Sequence, residues 1–117
     1  MKKTFVIDID NTICVAFKVG DAYDYINAKP IQNVIDEINK NYLLGNRIIL
    51  FTSRGMRTFD RNIDKIEEFH RPILEKWLKK NKVGYDELIF GKPWGPNVHY
   101  IDDKNLSIDE FVGEKYD

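Results

Sequence analysis

No stretch of this chain stays apolar for the roughly 18 residues that a membrane-spanning helix requires. The two lysines at its start, Lys2 and Lys3, lead into strand-like residues and acids rather than the apolar core of a signal peptide. Both absences point to a soluble, cytoplasmic protein with no membrane partner. Cysteine is nearly absent too: Cys14 stands alone, which excludes an internal disulfide, suits a reducing compartment and reads as a small buried apolar residue. With two histidines and that one thiol there is no cluster of zinc-ligand spacing. Charge of one sign is missing as well. The 18 basic and 19 acidic side chains leave a formal charge of −1, so no global field draws the chain to nucleic acid or an anionic membrane, and partners must be sought at a site. Internal repeats, low-complexity tracts and linkers are likewise lacking. The 117 residues, 43% hydrophobic, supply one compact core, so residues 1–117 read as a single domain.

What is present is a repeated switch from apolar runs to polar ends. Phe5, Val6, Ile7 and Ile9 read as a short strand buried on both faces, because a continuous apolar run with β-branched members fits the interior of a parallel sheet. It ends in Asp8, Asp10 and Thr12. Ile13 to Asn27 alternate around Gly20 and Asp21, which predicts a hairpin leaning over that end, its tip carrying Asp21, Tyr23, Asp24 and Tyr25. Pro30 stands where a first helical residue belongs, followed at helical spacing by Ile31, Val34, Ile35, Ile38 and Tyr42, with Gly45 as the stop. Arg47 to Phe51 is a second buried strand, ending in Thr52, Ser53 and Arg54. A helical pattern then runs from about Asp60 to Asn81, and Pro72 is expected to kink or divide it. Leu88 to Phe90 is a third strand that delivers Lys92. Val98 to Ile101 is a fourth that delivers Asp102 and Asp103. Ser107 and Glu110 stand at capping-box spacing, which predicts a last helix near Ile108 to Val112. The alternation argues an α/β fold with a central parallel sheet and helices on both faces.

In such a sheet all four strand ends point the same way, toward the edge where ligands bind. Several carboxylates gathered there repel by roughly 4 kcal/mol per pair at about 4 Å and an effective dielectric near 20. A cation must therefore sit among them, and hard oxygen donors suit Mg²⁺. Mg²⁺, Lys92 and a hydroxyl together would hold a phosphate group.

Over nearly its whole length the chain resembles a haloacid dehalogenase-superfamily phosphatase. The family's first motif, DxDx[TV], is met by Asp8, Asp10 and Thr12 in DIDNT, and its second by Thr52 in IILFTS. Lys92 meets the third, and Asp102 and Asp103 in IDDK the fourth, without the frequent glycine before the first acid. The resemblance implies a three-layer Rossmann-like fold with a flap hairpin and no cap domain. It implies hydrolysis of a small phosphate monoester through a phosphoaspartate: Asp8 attacks, Asp10 protonates the leaving alcohol and then deprotonates water, and Thr52 and Lys92 hold the phosphoryl oxygens. Asp8, Asp10 and Asp102 or Asp103 would hold Mg²⁺, and Ser53 and Arg54 would contact substrate. The pattern DIDNTI, FTSRGM, GKPWG and YIDDK is similar to small bacterial phosphatases of capsule or polysaccharide pathways, which suggests a sugar phosphate or amino-alcohol phosphate. Without a cap, selectivity falls to the flap and the Arg54 to Asp60 loop, and a homo-oligomer partner is one way to close the open site.

Bland readings stand beside these. Thr52 alone reads as a helix N-cap, Lys92 as a solvated charge, the Pro93–Trp94 pair as loop packing, and His99, inside the fourth strand, as a face-packing residue. The alternative function is a receiver-like phospho-acceptor switch without turnover. Receivers, however, carry their accepting aspartate at an internal strand end, about where this chain has Thr52.

Overall fold

The computed structural model describes residues 2–116. Three parallel strands, β1 (Thr4–Asp8), β4 (Arg47–Thr52) and β5 (Glu87–Phe90), form the central sheet in the order β1-β4-β5. The register sets Phe5 beside Ile48, Ile7 beside Leu50, Leu50 beside Leu88 and Thr52 beside Phe90. A separate antiparallel hairpin, β2 (Cys14–Val19) and β3 (Ala22–Pro30), turns at Gly20 and Asp21, as the alternation there predicts. Helices α1 (Gln32–Leu43), α2 (Ile63–Lys80) and α3 (Ile108–Val112) complete the mixed α/β architecture.

Side chains alternate across a strand, so the register sorts the sheet into two faces. Phe5, Ile7, Ile48, Leu50, Leu88 and Phe90 share one face and are buried with Val34, Ile35 and Ile38 of α1 and Ile66, Leu74 and Leu78 of α2. Helix α3 lies on the same side, with Phe111 edge-on to Phe5 at 5.2 Å between ring centroids. The other face carries Val6, Ile49, Phe51 and Ile89, and Val6 is 62% exposed. All the described helices therefore cover one face, which differs from the helices on both faces and the doubly buried first strand expected above. The reason is topological. The chain steps in one direction from β1 to β4 to β5, and successive right-handed crossovers in one direction put every helix on the same side. Only a step back past β1 would place a helix on the other.

That step fails to appear because the expected fourth strand is absent. Val98 to Ile101 form an exposed loop, with Ile101 95% exposed and His99 on the surface rather than packed on a sheet. The run is four residues long between Gly95-Pro96 and two acids. Its backbone contacts are local, Val98 N–H to the Gly95 carbonyl at 3.2 Å and Asn105 Nδ2 to the Tyr100 carbonyl at 3.4 Å. Among the described residues the edge of β1 away from β4 pairs with no strand.

Two proline expectations are also corrected. Pro30 is the last residue of β3, paired with Cys14, and Ile31 is the residue before α1. A strand end tolerates a missing N–H, and this one is pinned by Trp77 Nε1 donating to the Ala28 carbonyl at 2.8 Å. Pro72 lies inside an unbroken α2, on its exposed side, where the carbonyl deprived of a partner can face water. The helix boundaries follow the sequence: Gly45 takes φ +86° just after α1, and Ser107 and Glu110 close a reciprocal capping box at the start of α3. No helix of the described residues is long and apolar enough to cross a membrane.

Candidate active site

Three strand ends meet at one edge of the sheet. Asp8 ends β1, Thr52 ends β4, and Lys92 follows β5 by two residues, its backbone N–H donating to the Thr52 carbonyl at 3.1 Å. Gly91 makes that placement possible: its φ of +99° turns the chain at the strand end, and a Cβ there would lie 2.9 Å from Ile63 Cδ1. The Lys92 ammonium reaches Asp8 Oδ1 at 3.2 Å, and the Thr12 hydroxyl donates to Asp8 Oδ2 at 3.1 Å. Each carboxylate oxygen thus has its own donor. Thr12 can reach back four residues because the chain folds tightly after β1: Thr12 and Ile13 N–H both bond to the Ile9 carbonyl, and Asn11 takes the left-handed conformation that asparagine tolerates.

Asp10 has a different cation. Arg54 Nε donates to its Oδ2 at 3.1 Å and Nη2 to its Oδ1 at 3.0 Å, a two-point clamp. The Arg54 side chain is fully buried, and its guanidinium carbon lies 4.1 Å from the centre of the Tyr25 ring on the flap. Arg54, expected as a substrate contact, holds Asp10 and also lines the cavity beside it. The charge repulsion anticipated between the first two acids is answered by two protein cations, Lys92 on Asp8 and Arg54 on Asp10.

Thr52 is 1% exposed and its hydroxyl accepts from the Arg54 N–H at 3.1 Å, which leaves its proton free to donate. Ser53 is half-buried in the same turn. Cys14 lies beneath, fully buried with Sγ 3.7 Å from Asp10 Oδ1, and burial first, then the Asp10 charge, push its thiol up to about 12. It is inert packing, as the sequence suggests. Burial and then Asp10 likewise raise the Tyr25 phenol.

Asp102 and Asp103 do not join this group. They stand in the exposed loop, where Asp102 accepts from the Lys104 N–H at 2.8 Å, a bond that holds its carboxyl below the usual range. Among the described residues no three of histidine, cysteine, aspartate and glutamate come together as a metal site. Asp8, Asp10, Asp102 and Asp103, expected to hold Mg²⁺, carry hard carboxylate oxygens of the kind that ion takes, but the four are not assembled among the described residues.

One neighbour escaped the sequence reading. His70 of α2 is buried, edge-on to Tyr25 at 5.6 Å, with Nδ1 lacking a protein partner. Burial and then the Arg54 charge lower its pKa. The available signal was spacing: His70 falls four residues after Ile66 and four before Leu74, on the apolar stripe of α2. Gly55 completes the contact, since a Cβ there would come within 2.8 Å of the His70 ring.

Between flap and loop lies a cavity of about 310 Å³ that Asp10, Ser53, Tyr23, Tyr25, Lys18 and Arg57 help to line. A second cleft of about 500 Å³ adjoins it, lined in part by Arg57, Arg61 and Trp94.

No family model matches the chain, and no curated protein matches it. Among solved structures it is similar to the crystal structure of a structural-genomics target from Vibrio cholerae, with 37% sequence identity over 94% of this chain and 87% of that one and a TM-score of 0.84. Identity of that extent over almost the whole of both chains shows common descent as well as a common fold, and the chain belongs to the same family as the Vibrio cholerae protein.

Proposed function

We propose that the protein is a phosphatase of the haloacid dehalogenase type, hydrolysing a small phosphate monoester through a phosphoaspartate on Asp8. The observation that carries this reading is the meeting of Asp8, Thr52 and Lys92 at three parallel strand ends, with Lys92 Nζ 3.2 Å from Asp8 Oδ1. An aspartate is ionised at neutral pH and needs no activating base to attack phosphorus. Lys92 and the Thr12 hydroxyl fix the Asp8 carboxylate, and Lys92 also offsets charge as the phosphoryl group transfers. The Thr52 hydroxyl has a proton to donate to a phosphoryl oxygen. Asp10, aimed by Arg54, is the group proposed to take a proton from the water that hydrolyses the phosphoaspartate; for it to protonate the leaving alcohol first, it must enter the cycle as the carboxylic acid, having taken a proton from solvent and given up its ion pair with Arg54.

The reading calls for the full three-layer arrangement of that superfamily, with Val98 to Ile101 added to the free edge of β1 and Asp102 or Asp103 brought beside Asp8. It also calls for Mg²⁺, held by those carboxylates and the Asp10 backbone carbonyl, which when bound would neutralise phosphate charge. The protein is proposed to work in the cytoplasm, on a sugar phosphate or amino-alcohol phosphate that enters under the flap. The test is phosphate release from a panel of small phosphate esters, with Mg²⁺ and with chelator. Release that needs Mg²⁺ and is lost in Asp8→Asn is expected. Release unaffected by chelator and by Asp8→Asn overturns the reading, and one stoichiometric phosphorylation without turnover replaces it with a switch.

A further inference from the structure

The cavity at Asp10 and the larger cleft are neighbours, with Arg57 and Trp94 in the lining of both. Their volumes, about 310 Å³ and about 500 Å³, are each of the size that takes a small ligand. A minimal phosphate monoester seated at Asp8 and Asp10 would leave the outer part empty. The outer part is not neutral. Arg57 and Arg61 both line it, and neither forms an ion pair with a described carboxylate, whereas Arg47, Arg54 and Arg71 all do. One carboxylate, Asp60, lies among them, so the cationic groups remain in excess.

The backbone holds this arrangement at a cost. Asp60 and Arg61 take φ of +47° and +61°, consecutive left-handed residues where neither is glycine, and Arg61 N–H closes the turn on the Met56 carbonyl at 2.8 Å. Strain of this kind persists only where the surrounding structure over-determines it, and it clusters at binding and active sites. Trp94, 50% exposed, supplies a flat apolar wall beside the two guanidinium groups. A guanidinium presents a planar fork of donors that matches the oxygens of a carboxylate or phosphate.

We propose that Arg57 and Arg61, beside Trp94, form a second anion subsite, and that the substrate is a phosphate ester whose body carries a second anionic group, carboxylate or phosphate. The proposal deepens the phosphatase reading and rests on it for the position of the first phosphate. Arg57 sits at the junction of the two cavities and Arg61 at the outer end, so Arg61 discriminates substrates by their far group.

The test uses matched pairs that differ in that far group alone: 6-phosphogluconate against sorbitol 6-phosphate for a carboxylate, and fructose 1,6-bisphosphate against fructose 6-phosphate for a phosphate. The charge-assisted bonds predict kcat/KM at least about tenfold higher for the doubly anionic member of one pair. Which pair shows it identifies the far group. In Arg61→Gln that ratio falls toward one, and Arg61→Lys restores part of it. Ratios near one in both pairs, on an enzyme that does release phosphate, overturn the subsite and leave the phosphatase reading intact. If no ester is hydrolysed, the phosphatase reading fails, and binding of the same four compounds decides the subsite through Trp94 fluorescence, with Trp94→Phe as the control. Trp77, the other tryptophan, is buried. Tighter binding of a doubly anionic compound that Arg61→Gln abolishes supports the subsite; equal or absent binding overturns it.

Discussion

Asp10 and Arg54 make a contact in which one partner is fully buried and the other is one-third exposed, and the packing around it explains why it holds. Tyr25 covers the guanidinium from the flap, Cys14 lies within 3.6 Å of Nη2, and Nη1 is buried without a protein partner. A guanidinium so enclosed serves to aim its carboxylate, while Arg54 also lines the cavity at Asp10 and keeps Nη1 without a protein partner. His70 stands behind this cluster, facing Tyr25, Phe59 and Phe69, with Arg54 and Asp10 as the charges that act on it. Its pKa is lowered from the ordinary 6.5, by burial first. Below that pH the unfolded chain binds a proton that the folded chain resists, so the His70 contribution to stability is present at neutral pH and lost as pH falls through 6.5. Denaturant unfolding at about pH 7.5 and about pH 5 should show a smaller acid loss in His70→Phe than in the wild type. An equal loss in both proteins would contradict the assignment.

At the scale of elements, the sheet is one-sided, and substitutions on its two faces should separate cleanly. Ile48→Ala removes a side chain that is 0% exposed and packed under α1, and should cost roughly 2–5 kcal/mol. Val6→Ala, on the uncovered face, should stay within about 0.5 kcal/mol. Chemical denaturation of both variants checks this, and a comparable loss at Val6 would mean that something covers that face. Strands β1, β4 and β5 were legible in the sequence because each is a short apolar run that ends in a polar residue, a pattern set by local chemistry. The hairpin and α3 were legible for the same reason, through Gly20 with Asp21 and through the Ser107–Glu110 box. Which face of a strand is covered is decided by crossover direction, a property of the whole chain, so Val6 read as buried when it is exposed. Val98 to Ile101 have the composition of a strand, but composition does not decide pairing, and their contacts stay local while one edge of β1 is open. Pro30 and Pro72 fit the local rules for proline that they were judged by, and tertiary context overrode both: the Trp77 anchor at β3, and the exposed side of α2. At the site, the convergence of Asp8, Thr52 and Lys92 could be read from strand ends alone. The pairing of Arg54 with Asp10 could not, because it depends on Tyr25 and Asp10 meeting it in space.

For the molecule as a whole, shared descent with the Vibrio cholerae protein goes with a shared fold. The proposed activity draws on parts that belong to different layers. The sheet supplies Asp8, Thr52 and Lys92, the flap and loop supply the Tyr25–Arg54 clamp on Asp10, and the outer cleft supplies Arg57 and Arg61. All of them presuppose one event, bond formation between Asp8 and phosphorus. The direct measurement is a millisecond acid quench of the enzyme with a radiolabelled phosphate ester and Mg²⁺, followed by peptide mapping. The account predicts label on the peptide that contains Asp8, formed and lost fast enough to support turnover, and none in Asp8→Asn. Steady turnover with no label on that peptide, or undiminished turnover in Asp8→Asn, would contradict it.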